Sequence, residues 1–155
     1  MPAILAGAFA ANYAVTPQLT TAAAIAVGNS LEAFVATVLI QRWAKGEHVF
    51  PSPIGVGKFA LVVTAAAAPV SATIGVSALA VTGHAGWADF MAIWITWWLG
   101  NLAGAILTTP ALVLWARTLR GEEPAPVATN ALISFSVALL IAVIAFSPIS
   151  PAPIG

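Results

Sequence analysis

Residues 20–43 read TTAAAIAVGNSLEAFVATVLIQRW, and residues 44–57, which follow, read AKGEHVFPSPIGVG. The first stretch is as long as a membrane-crossing helix, which needs roughly 17–25 mostly apolar residues. Within it Asn29, Ser30 and Glu32 interrupt the apolar run. The second stretch holds Pro51, Pro53 and several glycines, a composition that predicts a loop. Arg42, Lys45 and Lys58 gather around that loop, and the two remaining basic residues, Arg117 and Arg120, gather at a second break. Basic residues concentrate in cytoplasmic loops of membrane proteins, so both breaks are predicted to face the cytoplasm.

Working outward, the apolar run 2–15 is short for a span and ends at Pro17 and Gln18. Residues 58–81 make a third helix with Pro69 near its middle, and 82–86 a tight outer turn. Residues 87–115 make a long fourth helix with Pro110 near its inner end. The charged, Pro-containing stretch from Arg117 to Pro126 closes it, and 127–146 make a fifth. The expected fold is all-α: a polytopic helical integral membrane protein of about five transmembrane helices, forming a single domain over 1–155. The amino end is placed in the cytoplasm and the carboxyl end outside.

Composition agrees. The chain is 61% hydrophobic and 6% charged, with mean hydropathy +1.00, too apolar to coat a soluble globule. Its lack of cysteine excludes disulfides, thiolate metal sites and Cys nucleophiles. A net charge of zero offers no footprint for nucleic acid. His48 and His84 fall in loops predicted on opposite faces and cannot share a metal, so neither metal nor cofactor is expected. No nucleophile–base pair, carboxylate pair or Gly-rich phosphate loop is visible, and the chain is not read as an enzyme. Apolar residues directly after Met1, with no basic stretch, argue against a cleaved signal peptide.

Glu32 is the one acid near the middle of a span. An ionised side chain there costs about 2.5–3.5 kcal/mol on insertion scales, so such residues face the bundle interior and mark function. At helical spacing Gly28, Asn29 and Ala36 share its face, with Thr21 and Ile25 extending the stripe, while Leu31, Phe34 and Val38 point elsewhere. Functionally, Glu32 is a ligand, proton or signal-relay position. Structurally, it is a protonated carboxyl acting as glue between helices.

The fourth helix carries a second such face: Trp94, Trp97, Trp98, Asn101, Gly104, Ala105 and Thr108. Indole and amide groups inside lipid need partners, so this face is expected to look inward and to line a cavity for a small amphipathic or aromatic ligand. The alternative is an aromatic belt at the membrane surface, which is the reading for Trp87. Gly100 and Gly104 form a small-xxx-small pair. Pro69 frees a backbone carbonyl that Ser71, Thr73 or Ser77 can re-satisfy. It marks a helix kink, as does Pro110. His84 and Asp89 read as solvated loop residues, and His48 and Glu47 carry still less.

Four stretches together resemble one family. They are GAFAAN (7–12), IAVGNSLEAFVATVLIQRW (25–43), APVSATIGVSAL (68–79) and WITWWLGNLAGAILTTPALVLW (94–115). In this order they are similar to the membrane-associated sensor domains of the first type, and the likeness is looser beyond residue 115. The resemblance implies a sensory module of the bacterial inner membrane, usually coupled to a cytoplasmic histidine kinase, diguanylate cyclase or phosphodiesterase. It places the family's polar positions on Asn12, Asn29, Glu32, Ser71, Thr73, Trp97 and Trp98. Where the family commonly has Asp, this chain has Asn101, an amide that hydrogen-bonds without titrating. Family members usually extend beyond both ends, so the chain is expected to be a partial sensor domain lacking its output domain.

The leading expectation is therefore a signal-sensing module acting on a cytoplasmic effector in cis or in trans. Its expected partners are the lipid bilayer and, through its small-residue faces, a second copy. The competing expectation is a small transporter or channel subunit with the same polar residues lining a path.

Overall fold

The computed structural model describes residues 1–44, 46–50 and 52–122, together with helical residues 129, 130, 132, 133, 136, 137 and 140. Most of the expected helix 127–146 therefore lies outside the described residues, as does Lys45. Among the described residues there is no strand. The chain divides into two compact units, Met1–Ala103 and Gly104–Gly155.

The first unit opens with α1 (Pro2–Val15), which has Pro near its start, where a missing N–H costs no helical bond. It ends at Thr16, held extended (φ −126°, ψ 93°) as the residue before Pro17 must be. Helix α2 (Leu19–Trp43) follows directly.

A 3₁₀ turn, Gly46–Val49, leads to α3 (Pro53–Val62). The loop expected over residues 44–57 is thus shorter, and this span starts at Pro53 rather than Lys58. Proline is favourable at the first helical position, and Ser52 caps the helix: its Oγ accepts the Gly55 N–H at 3.0 Å.

The span continues through a π-helical turn, Val63–Ala67, into α4 (Ala68–Val81). Pro69 explains the widening. In an α-helix its ring would clash with the carbonyl of residue 65. Opening the turn to i→i−5 relieves this, and the Ala68 N–H reaches the Val63 carbonyl. After the turn at 82–86 and a 3₁₀ segment, Trp87–Asp89, helix α5 (Phe90–Leu119) begins in the first unit.

Among the described residues, three helical stretches are long and apolar enough to cross a membrane: Leu19–Trp43, Pro53–Val81 and Trp87–Leu119. The last has 33 residues, about 50 Å at 1.5 Å per residue, against a hydrocarbon core of about 30 Å. It therefore tilts or extends past the lipid. Outward-facing Leu31, Phe34, Leu61, Met91, Ile95 and Leu99 form the exposed apolar surface such spans present to lipid.

The core of the first unit is small-on-small. Thr21, Ala22, Ile25, Ala26 and Gly28 of α2 are buried. So are Ala68, Ser71, Ala72, Gly75, Val76 and Ala80 of α4, spaced by three and four so that they form one stripe. Lipid tails are as apolar as leucine, so helices in a membrane associate through close packing of small residues and through hydrogen bonds. The antiparallel α2–α4 pair is hydrogen-bonded at two levels: Thr21 to Thr82, and Glu32 to Ser71. Thr21 and Glu32 lie as far apart in sequence as Ser71 and Thr82, three helical turns, so both bonds fall on one face.

In the second unit α5 runs through Pro110 to Leu119 with Ala111 and Arg117 buried. Glu122 then pairs with Arg117 at 3.3 Å and with Arg120 at 3.0 Å.

Candidate functional site

Glu32, Ser71 and Asn101 come together from α2, α4 and α5, all within the first unit. Two glycines set the distances. At Gly28, one turn before Glu32, an added Cβ would lie 3.1 Å from the Ile74 side chain and 3.6 Å from the Ser71 Cα. A side chain there would push Ile74 back by a few tenths of an ångström, so the glycine favours the close approach of α4 that brings Ser71 within reach of Glu32. At Gly75, one turn beyond Ser71, an added Cβ would lie 2.7 Å from the Trp97 ring. The indole occupies the space the glycine leaves, and one turn further along α5 Asn101 reaches Ser71.

The three side chains form a closed triangle. The Ser71 hydroxyl donates to Glu32 Oε2. Asn101 Nδ2 donates to the same carboxyl oxygen at 2.9 Å and to Ser71 Oγ at 2.6 Å. Ser71 is 1% exposed, while Glu32 and Asn101 are half-buried. One carboxyl group thus takes donors from two neighbouring helices, which satisfies polar groups that lipid would leave unpaired.

The tryptophans complete the α4–α5 contact. The Trp98 Nε1–H donates to the Thr64 carbonyl at 2.8 Å, and the Trp94 Nε1–H to Thr73 Oγ1 at 3.0 Å. Trp94 and Trp98 stack with ring centroids 6.0 Å apart. Thr64 needs that indole because of the π turn. The Ala68 N–H, its α-helical partner, is used by Val63, and Pro69, next in line, has no N–H.

This corrects the expectation that Ser71, Thr73 or Ser77 re-satisfies the carbonyl freed at Pro69. A Ser or Thr hydroxyl reaches back only three or four residues along its own helix, and Thr64 lies beyond that range. The expected ligand cavity is also filled differently: Trp97 seats on Gly75, and the Trp98 indole is spent on the backbone. Trp97 does border a shallow apolar groove with Ala92, Ile93 and Thr96.

Other expected positions lie apart from the triangle. The Asn12 amide donates to the Ala8 carbonyl of its own helix at 2.8 Å. Asn29 is half-buried one turn from Glu32, without a side-chain hydrogen bond among the described residues. Trp87 is 63% exposed and stacks on Phe90, the placement of a surface aromatic. Gly100 and Gly104 have nothing within 4 Å of an added Cβ, so no small-xxx-small contact forms at that pair among the described residues. No group of His, Cys, Asp or Glu among those residues is arranged to hold a metal.

Sequence reading passed over a second polar chain at the other end of α2. Buried Thr21 hydrogen-bonds Gln18 at 2.7 Å and Thr82 at 3.0 Å, and Thr82 meets His84 Nδ1 at 3.0 Å. Its signal was the pair of helix-end threonines. At the opposite end Lys58 Nζ donates to the Trp43 carbonyl at 3.2 Å and sits 5.2 Å from the Trp43 ring centroid. A cation on the last carbonyls of a helix is favourable.

A family model described as MASE1 matches residues 1–153, nearly the whole chain. No curated protein and no solved structure matches it. The chain belongs to the MASE1 family, membrane-associated sensory domains found in signalling proteins and not themselves catalytic.

Proposed function

We propose that this MASE1 domain reads a signal through the Glu32–Ser71–Asn101 triangle and passes it to a cytoplasmic effector, a histidine kinase or a cyclic-di-GMP enzyme. The observation that carries the reading is one carboxyl group joining three helices, with donors from α4 and α5 on a single oxygen. Packed helices with two discrete arrangements are the usual elements of a switch. A carboxyl group on which three of them converge is a point where a small chemical change alters every contact at once. Whatever favours one arrangement biases the bundle only by its difference in affinity for the two.

The setting is the bacterial inner membrane, and the gathering of the basic residues at two breaks of the sequence supports a cytoplasmic reading of those breaks. The family's sensory character supports this reading over a transport path.

The test places Glu32→Ala in the complete receptor fused to its effector. Output is expected to change while membrane insertion and expression stay normal. Unchanged output at normal expression reduces Glu32 to packing and defeats the proposal.

A further inference from the structure

The hydrogen-bond geometry points to the Glu32–Ser71–Asn101 triangle as a one-proton site. We propose that it is fully hydrogen-bonded with Glu32 either charged or neutral, and that exchange of the proton turns the Asn101 amide around. This deepens the relay reading and rests on it for any consequence at the effector, although the proton exchange stands by itself.

In the arrangement observed, every donor points at the carboxyl group. Asn101 Nδ2 shares one hydrogen between Glu32 Oε2 and Ser71 Oγ, and the Ser71 hydroxyl supplies its own to Glu32 Oε2. That is the pattern for an ionised carboxylate, which only accepts. An amide, however, has a donor side and an acceptor side of nearly the same shape. A half-turn about its terminal bond puts Oδ1 where Nδ2 was, within hydrogen-bond distance of the same two atoms.

A proton taken from the aqueous phase onto Glu32 Oε2 is then donated to Ser71 Oγ, and the Ser71 hydroxyl donates in turn to Asn101 Oδ1, so the two closest contacts each hold one hydrogen. One O–H bond forms and no other covalent bond changes. Reversal releases the proton and restores the first pattern. Three residue types make this possible together: a carboxyl group that gains or loses a donor, a hydroxyl that both gives and accepts, and an amide that presents either side. Leucine at position 101 or alanine at position 71 would leave Glu32 with one partner in place of two.

Glu32 is the sole titrating group of the triangle. Helix α4 contains no titratable residue, α1 contains only Tyr13, and α5 has none before Arg117 in the second unit. On α3 the Lys58 ammonium is engaged with Trp43, and Arg42 lies at the far end of α2. His84 and Asp89 are exposed near the turn between α4 and α5. The proton on Glu32 therefore comes and goes in one step. The same half-turn exchanges the group Asn101 presents away from the triangle, so charge on α2 is converted into a change of hydrogen-bonding character on α5.

The test is infrared difference spectroscopy of the chain in zwitterionic vesicles, following the carbonyl stretch of a protonated carboxylic acid. The range is about pH 4 to pH 10, wide enough for ordinary and strongly displaced carboxyl groups. Among the carboxyl bands, one is expected to grow in a single step on acidification, to be missing from Glu32→Gln while those of the other four acids remain, and to move in frequency in Asn101→Leu and in Ser71→Ala. Asn101→Asp is expected to split the titration into two steps, since two carboxyl groups in contact titrate as a pair. A pH difference spectrum in the carboxyl region that is the same in Glu32→Gln as in the unmodified chain overturns the proposal; the glutamine keeps the shape and hydrogen-bonding groups that hold the helices. A single unsplit step in Asn101→Asp overturns it as well. If the band titrates while the fused receptor ignores Glu32→Ala, the relay fails and the proton site stands.

Discussion

Replacing Gly75 with alanine tests the contact that places α5. The added methyl carbon would sit 2.7 Å from the Trp97 ring, about 1 Å inside the ordinary carbon–carbon separation of 3.5–4.0 Å. Trp97 is a rigid bicyclic group held across the helix contact, so the ring or the helix must shift by roughly that amount. Overpacking of this kind costs about 1–3 kcal/mol, and alanine's better helix propensity returns up to about 1 kcal/mol. The net expectation is a loss of roughly 0–3 kcal/mol. Gly100→Ala meets nothing within 4 Å and is expected to be neutral or slightly stabilising, so the two variants should differ by about 1–3 kcal/mol. Reversible unfolding in mixed micelles, with tryptophan emission as the signal, measures both. A double-mutant cycle with Trp97→Phe assigns the cause. The smaller ring should recover part of the loss, giving a coupling of about 0.5–2 kcal/mol. If Gly75→Ala behaves like Gly100→Ala, or if the cycle is additive, Trp97 is not seated on Gly75 and the placement of Asn101 loses its explanation.

Two further outcomes follow from the hydrogen bonds. Trp98→Phe keeps an aromatic ring but leaves the Thr64 carbonyl without a donor, and should destabilise by about 1–3 kcal/mol. Trp87→Phe, at an exposed site, should stay within about 0.5 kcal/mol; equal effects in unfolding experiments would refute the assignment. Thr21→Val retains shape while removing the hydroxyl that joins Gln18 and Thr82. It should cost about 0.5–2 kcal/mol and speed amide exchange at the start of α2, and unchanged exchange there would show that the upper bond does not hold the helices.

Much of this architecture was legible because lipid imposes simple demands. Apolar runs of span length separated by basic breaks identify membrane helices, and a small-and-polar stripe identifies the side of α2 that faces other helices. Glu32, Ser71 and Asn101 each stood out as polar groups where polarity is costly. Their meeting was not legible, since periodicity assigns a residue to a face of its own helix and says nothing of register against another. The seat of Trp97 on Gly75 was hidden for the same reason. The π turn before Pro69 was hidden differently: the proline announces a lost hydrogen bond, but whether the helix bends or widens depends on which neighbour offers a replacement donor. The early start of α3 was written in Ser52 and Pro53, a cap followed by a first-turn proline, and was obscured by counting prolines as loop.

The indole on the Thr64 carbonyl also bears on how the molecule is put together. A bare carbonyl inside hydrocarbon is unfavourable by several kcal/mol, and Pro69 ensures that α4 cannot cover it with its own N–H. Until α5 arrives, then, the inserted α3–α4 segment is incomplete in a way that no rearrangement within one helix repairs. The short connection at 82–86 makes that arrival prompt, since α5 is the next segment to leave the ribosome. Trp98 supplies the missing donor, so an α5 docked in another register would leave the gap at the π turn open.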